Sequence, residues 1–319
     1  MFKFITKVVL LAIVIFIALF IADFITTEGL KKNTSNVYDV WNKIYNGEIN
    51  SNLIINGSSI AEVQISPKIL DSTLVTSSYN LGMSGYSFLM QKARNDVFLE
   101  HNKHPDIIIQ IVGDGTLRKK EGLFQVAQFL PYLEDPIIAN ATKKYEGLSF
   151  SDYTIPFLKY SGKFKTITKG VASFCNVEFL TSDRYKGYTS NDFKWDSRFD
   201  DFKKENPNGK KIDISESIVK LFESYLNTET QKGTKIVLVF TPTFNELENY
   251  MLNRTKIINL YKSISKKYNI LFLDYSKSDY TMNKELFYNA NHLNKKGAEL
   301  FTRKLALDIK AHTHNNVYN

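Results

Sequence analysis

The chain has 319 residues, 43% hydrophobic and 23% charged, a balance that excludes a disordered or low-complexity polypeptide and suits one large folded domain. The formal net charge is +8, but the lysines are scattered as pairs such as Lys119–Lys120, Lys203–Lys204, Lys210–Lys211 and Lys266–Lys267, with no run of five or more like charges, which argues for a solvated surface and against a nucleic-acid partner. The single cysteine, Cys175, rules out an intrachain disulfide and a cysteine-built zinc site, and is expected as a small buried apolar residue.

Residues 8–25 (VVLLAIVIFIALFIADFI) form an apolar run broken only by Asp23 near its end. About 18–20 such residues cross a hydrocarbon core roughly 30 Å thick. Lys3 and Lys7 precede the run, and positive charge there keeps an N-terminus cytoplasmic and sends the rest outside. A cleaved leader is the alternative, but the run is longer than a leader's apolar region, and Ala18-Leu19-Phe20 spoils a small-residue cleavage site. Residues 1–27 are therefore expected as a cytoplasmic stub and uncleaved membrane anchor. Residues 28–38 are expected as a linker, 39–312 as the external domain and 313–319 as a tail.

Beyond the anchor, short apolar runs alternate with helical patterns. Leu53–Asn56, Asp106–Val112, Lys235–Phe240 and Asn269–Asp274 lack polar alternation, as strands buried on both faces of a parallel sheet do, and Thr73–Tyr79 is a further strand-like run. Helices are expected over Ile60–Leu70, Ser84–Asn102, Phe244–Tyr268 and Leu293–Ala311. The alternation specifies a doubly wound α/β domain. From about 115 to 209 the rhythm fails in a stretch rich in Phe, Tyr and Lys, expected as an insertion over the C-terminal edge of the sheet, either a lid or groove for a ligand or a packing elaboration.

Three stretches hold candidate chemistry. Gly57-Ser58-Ser59 lies between a strand and a helix, where a serine is exposed near helix N-terminal N–H groups; the competing role for such a serine is an N-cap. Asn80-Leu81-Gly82-Met83-Ser84-Gly85 follows the next strand, as a close backbone approach or a simple turn. Asn291-His292-Leu293-Asn294 opens the last helix and offers His292 as a general base or a surface residue.

In chain order these pieces resemble the blocks of the SGNH, or GDSL-like, hydrolase superfamily, from Gly57 to His292. The resemblance implies a doubly wound, flavodoxin-like sheet, Ser59 as nucleophile and His292 as base. It also implies an oxyanion hole from the N–H groups of Ser59 and Gly82, with Asn80 as a supporting residue. Two departures stand out. The family's aspartate three residues before the histidine is Asn289, which can orient an imidazole but cannot supply the negative charge that stabilises imidazolium, and the corresponding change in a serine protease triad costs roughly 10⁴ in kcat. The third block reads Gly113-Asp114-Gly115-Thr116, without the oxyanion-hole asparagine; Asp114 could serve the site instead. Asn289 leaves a Ser–His dyad, recruitment of another carboxylate such as Asp274 or Asp279, or an impaired site.

The anchor, Gly-Ser-Ser and His-Leu-Asn-x-x-Gly together also resemble proteins that modify cell-surface polymers beside a membrane-bound O-acyltransferase, as in D-alanyl-teichoic-acid transfer and alginate acetylation. That implies acyl-ester transfer or hydrolysis on an extracytoplasmic polysaccharide, with such a membrane protein as partner. A polymer-binding or assembly subunit that kept only the fold is the alternative, and a lipid esterase a third. No phosphate-binding Gly-x-x-x-x-Gly-Lys-Ser/Thr motif occurs, no histidine pair has metal-ligand spacing, and no cofactor is expected.

Overall fold

The structure, a computed structural model, describes residues 1–177 and 181–315. In chain order its main elements are α1 (Phe2–Leu30), α2 (Asp39–Tyr45), β1 (Leu53–Asn56), α3 (Ser59–Gln64), α4 (Pro67–Leu74), β2 (Ser78–Asn80), α5 (Phe88–His101) and β3 (Ile107–Val112). There follow α6 (Pro136–Thr142), α7 (Phe150–Thr154), α8 (Phe164–Phe174), α9 (Arg198–Glu205), α10 (Glu216–Gln231) and β4 (Lys235–Phe240). The chain closes with α11 (Arg254–Lys267), β5 (Leu271–Asp274), β6 (Phe287–Asn289), β7 (His292–Leu293) and α12 (Lys295–Asn315). Of the expected tail, residues 316–319 lie outside the described residues.

The chain divides into two compact units, residues 1–46 with 121–183 and residues 47–120 with 184–319. The stretch expected as one insertion at 115–209 is thus shared: its middle joins the N-terminal helix and its end joins the sheet.

The second unit is built on five parallel strands in the order β2-β1-β3-β4-β5, the doubly wound arrangement expected. Leu53 pairs with Ile107 and Ile107 with Lys235, so β1, β3 and β4 run in step. Every β1 residue and the last five of β3 and β4 are buried, which is why their sequences show no alternation. The edge strand β5 is only half-buried. Around the sheet, α12 packs on α3 and α4, and α10 on α5 and β4.

Two long helical patterns divide where local chemistry demands it. Pro67 lacks an N–H and stands at the first position of α4, so Ile60–Leu70 becomes α3 and α4. The pattern from Phe244 becomes a 3₁₀ stretch, Asn245–Tyr250, and then α11. Of the strand-like run Thr73–Tyr79, only the end is extended, because α4 continues to Leu74 and Val75 turns the chain with φ +54°.

In the first unit α1 runs past the apolar stretch to Leu30, and Thr26, Thr27, Gly29 and Leu30 are buried. α8 crosses it closely: a Cβ on Gly170 would lie 2.9 Å from Thr26 Cγ2, and one on Gly29 2.9 Å from the Phe174 nitrogen. The segment 28–38, expected as a linker, is folded into this unit. Asn33 donates to Ser173 Oγ at 2.8 Å, and Asn42 Nδ2 donates to the Leu30 and Asn33 carbonyls at 3.0 and 2.8 Å. Cys175, expected buried, is exposed, because α8 turns Thr166, Gly170 and Ser173 inward and ends at that residue.

α12 is tied to the end of α3 by one buried hydroxyl. Thr302 Oγ1 accepts from the Ser66 N–H at 3.1 Å and donates to the Gln64 carbonyl at 2.9 Å. Thr302→Val keeps the volume and leaves the buried Ser66 N–H without a partner. The expected loss is about 1–3 kcal/mol of stability, measured as a lower urea midpoint at unchanged slope.

Candidate active site

β1 delivers the chain to Gly57, whose φ of +155° and tight surroundings admit no side chain: a Cβ would stand 2.7 Å from Ala61 Cβ and 2.9 Å from Ile111 Cβ. Two serines follow with different tasks. Ser58 is the N-cap of α3, its side chain accepting from the Ile60 N–H at 3.4 Å. That leaves Ser59, the first helical residue, with its Oγ 2.8 Å from His292 Nε2.

His292 lies not on the last helix but in β7, the short strand before it, paired antiparallel with β6. The pairing sets Asn289 opposite His292, and Asn289 Oδ1 lies 2.9 Å from His292 Nδ1. The same Oδ1 accepts from the Asn291 N–H at 3.0 Å. An acceptor is therefore assigned to that end of the amide, so Nδ1 carries the ring proton and Nε2 presents a lone pair to Ser59. Gln64 Nε2 donates to the Asn291 carbonyl at 2.9 Å and fastens this loop to α3.

The second block differs in detail from its expected use. The Gly82 N–H donates to Asn80 Oδ1 at 2.8 Å, and Gly82 does not line the cavity beside Ser59. A Cβ there would strike the Glu62 backbone, so this glycine serves close packing on α3. Asn80 is likewise spent on structure, donating to the Ala61 and Ile65 carbonyls at 2.7 and 2.9 Å. The glycine that reaches the cavity is Gly85. Among the described residues the Gly85 N–H makes no hydrogen bond, and an isolated parallel bridge ties Ser58 to Met83 beside it. The loop is held by Glu62, which accepts from the Ser84 N–H at 3.0 Å and Ser84 Oγ at 2.7 Å and pairs with Arg184 at 2.7 Å.

Asp114 lines the same cavity but bonds to neither Ser59 nor His292. Burial raises its pKa, opposed by Arg254, whose Nε lies 3.9 Å away. Asp274 is paired with Lys262 at 3.3 Å, Asp279 heads a 3₁₀ turn, and neither occupies His292 Nδ1. The carboxylate whose charge acts on His292 is Asp196, which sequence reasoning missed. Its backbone N–H donates to the Tyr288 carbonyl at 2.9 Å, and its side chain bonds Arg198 Nε at 2.6 Å. Arg198 lies 5.6 Å above the Tyr288 ring, and Tyr288 stacks on His292 with centroids 5.4 Å apart. Nothing at the level of spacing marks 196 or 198, because both lie in the irregular stretch.

The cavity has a volume of about 290 Å³. Arg118, Lys120 and Lys210 line it, with Phe202, Ile212 and Met251 as apolar wall. Lys120 donates to the Gly85 carbonyl. Among the described residues Arg118 and Lys210 form no ion pair.

No family model matches the chain, and no curated protein matches it. Among solved structures it is similar to one described as a "putative lipolytic protein of G-D-S-L family" from Desulfitobacterium hafniense, at 12% identity over 80% of this chain and 97% of that one, TM-score 0.39. It is similar to a "putative platelet activating factor" from Streptococcus pneumonia, at 14% identity over 96% and 98%, TM-score 0.39. A GDSL-like lipase from Bacteroides thetaiotaomicron matches at 13% identity over 81% and 88%, TM-score 0.33. At such identities and TM-scores the functional reading rests on this chain's own site.

Burial, with Arg198 adding to it and Asp196 opposing, pulls the His292 imidazole down from 6.5 to about 4. The neutral ring, the form that accepts a proton, therefore persists as pH falls toward 4. The rate at which a fluorophosphonate labels Ser59 is expected to hold to about pH 5 and drop below it. Arg198→Gln removes a charge that lowers the pKa and shifts this limb upward; Asp196→Asn removes the charge that raises it and shifts the limb downward. A labelling rate measured between pH 3.5 and 8 gives all three limbs.

Proposed function

We propose that the chain is a serine-dependent acyl-ester enzyme, acting by transfer or hydrolysis on an extracytoplasmic polysaccharide or related envelope polymer. The observation that carries the reading is the 2.8 Å contact between Ser59 Oγ and His292 Nε2, backed by Asn289 on the other ring nitrogen. His292 takes the Ser59 proton as Oγ bonds to the acyl carbon, and the N–H groups of Ser59 and Gly85 hold the developing oxyanion. The C–O bond to the leaving alcohol breaks, and that alcohol takes the proton from His292. A sugar hydroxyl or water then gives its proton to His292 and attacks the acyl carbon, the bond from that carbon to Oγ breaks, and His292 returns the proton to Ser59.

Asn289 limits the rate without abolishing it. In a protease triad an asparagine is ruinous because it stabilises the wrong ring tautomer. Here the Asn291 N–H claims Oδ1 and keeps the productive one. The absent negative charge still favours a second reading, a polymer-binding or assembly subunit, and the labelling experiment below separates the two.

Arg118, Lys120 and Lys210 favour a substrate with an anionic group near its ester. α1, with mean hydropathy 3.2 over its best window, supports an uncleaved anchor, because its last turns are buried in the fold, and Lys3 and Lys7 before the span favour the bulk of the chain outside. A membrane-bound O-acyltransferase is the partner this arrangement would serve.

Intact-mass analysis after fluorophosphonate treatment is expected to find one adduct on the folded chain and none on Ser59→Ala. Absence of an adduct from the folded parent would leave the binding-subunit reading. Asn289→Asp is expected to raise the labelling rate about tenfold or more by stabilising imidazolium, and Asn289→Ala to lower it. Arg118→Gln and Lys210→Gln are each expected to reduce kcat/KM about threefold to tenfold for an anionic acetyl ester and to leave a neutral one unchanged, the difference shrinking in high salt.

A further inference from the structure

The first unit has an apolar surface at a depth that α1 itself sets. Phe2 to Phe24 leave their side chains largely exposed, as lipid-facing residues do, and only the last turns of α1 are covered by protein. Counted from Lys7 at about 1.5 Å per residue, a hydrocarbon core about 30 Å thick ends roughly 20 residues later, near Thr27. Asp23 and Phe24 then lie just inside the outer boundary and Thr26 and Thr27 at it.

The groups that touch these four residues belong to one stretch of the same unit. The Phe157 N–H donates to Asp23 Oδ1 at 2.9 Å, and Lys159 Nζ stands 3.3 Å from Asp23 Oδ2. Tyr160 and Thr27 share a hydrogen bond of 2.8 Å, and the Phe174 ring meets Phe24 edge to face at 6.3 Å. Gly170 packs on Thr26. Residues 157–174 are therefore held at the depth of the outer bilayer boundary. A lone aspartate in an apolar span is costly, and its pairing with the buried Lys159 accounts for its tolerance there.

On that stretch, and on α7, which packs against its Leu158–Tyr160 turn, the unit presents apolar side chains with no protein cover. Phe150 is 81% exposed and Phe164 79%, and Ile155, Leu158 and Val171 are exposed as well. In α8, Phe164, Ile167 and Val171 recur at helical spacing on a face other than the Thr166, Gly170 and Ser173 face that packs on α1. Lys163, Lys165 and Lys169 are interleaved, as in helices that lie in a headgroup layer.

We propose that α7, α8 and the turn between them are seated in the outer interface of the bilayer that α1 crosses, so that the first unit rests on the membrane rather than swinging from it. The occupant of the apolar face is phospholipid, on the strength of its continuity with the span. This rests on the anchor reading above, and the test separates the two. The full chain carrying Cys175→Ser receives Phe150→Cys, Phe164→Cys, Ile13→Cys in the span or Val75→Cys on the second unit, one at a time. Each is spin-labelled and reconstituted in phosphatidylcholine–phosphatidylglycerol vesicles, and collision rates with oxygen and with a water-soluble nickel chelate are compared. Positions 150 and 164 are expected to favour oxygen several-fold, approaching position 13, while position 75 favours nickel. Lipid values at 13 with aqueous values at 150 and 164 would overturn the seating and leave the anchor, and would point to a protein partner for this face. Aqueous values at 13 as well would overturn both.

Discussion

The contact between Ser59 and His292 joins side chains 233 residues apart, and much of the second unit is arranged to hold it at 2.8 Å. A hydroxyl and an imidazole exchange a proton only within a narrow range of distance and angle, so both must stand on backbone that does not drift. α3 provides that reference. Its start is set by Gly57 and the Ser58 cap, its carbonyls at Ala61 and Ile65 are held by Asn80, and its end is pinned to α12 by Thr302. Gln64 reaches from the same helix to the loop that carries His292. The ties at Asn80 and Thr302 are buried hydrogen bonds, costly to leave unmade.

Electrostatics around the histidine work against its charge rather than for it. An aspartate at 289 would favour imidazolium, whereas Asn289 orients the ring and leaves it neutral. Arg198, above Tyr288, adds to the effect, and its bond to Asp196 moderates it. The tautomer is set by geometry and the proton affinity by burial, two properties that a triad aspartate would normally supply together.

How much of this was legible in the sequence depends on the kind of signal. The parallel sheet was readable because unbroken apolar runs have one good explanation, and Ser59, Asn289 and His292 were singled out by a resemblance of their blocks in chain order, the structure placing them within hydrogen-bond distance of one another. The breaks at Pro67 and near Arg254 were visible only as turn chemistry inside longer periodic patterns. Gly82 and Gly85 have identical chemistry three residues apart, and only the bond from Gly82 to Asn80 tells which glycine faces the cavity. Asp196, Arg198 and the cations at 118 and 210 come from stretches without periodicity, brought to the cavity by tertiary folding. Cys175 was misplaced because buriedness of the residue type said nothing about which side of α8 it would occupy.

Under the acyl-ester chemistry proposed above, the low proton affinity of His292 has a consequence for the kind of acyl donor that suits such a site. A weak base removes little charge from the attacking hydroxyl in the transition state, so more of the driving force must come from the donor's leaving group. An imidazole of this kind favours donors already primed for departure over unactivated alkyl esters. It gives up its proton readily to the departing oxygen, but the entering hydroxyl must in turn lose a proton to the same weak base, so both halves of such a cycle meet the same demand.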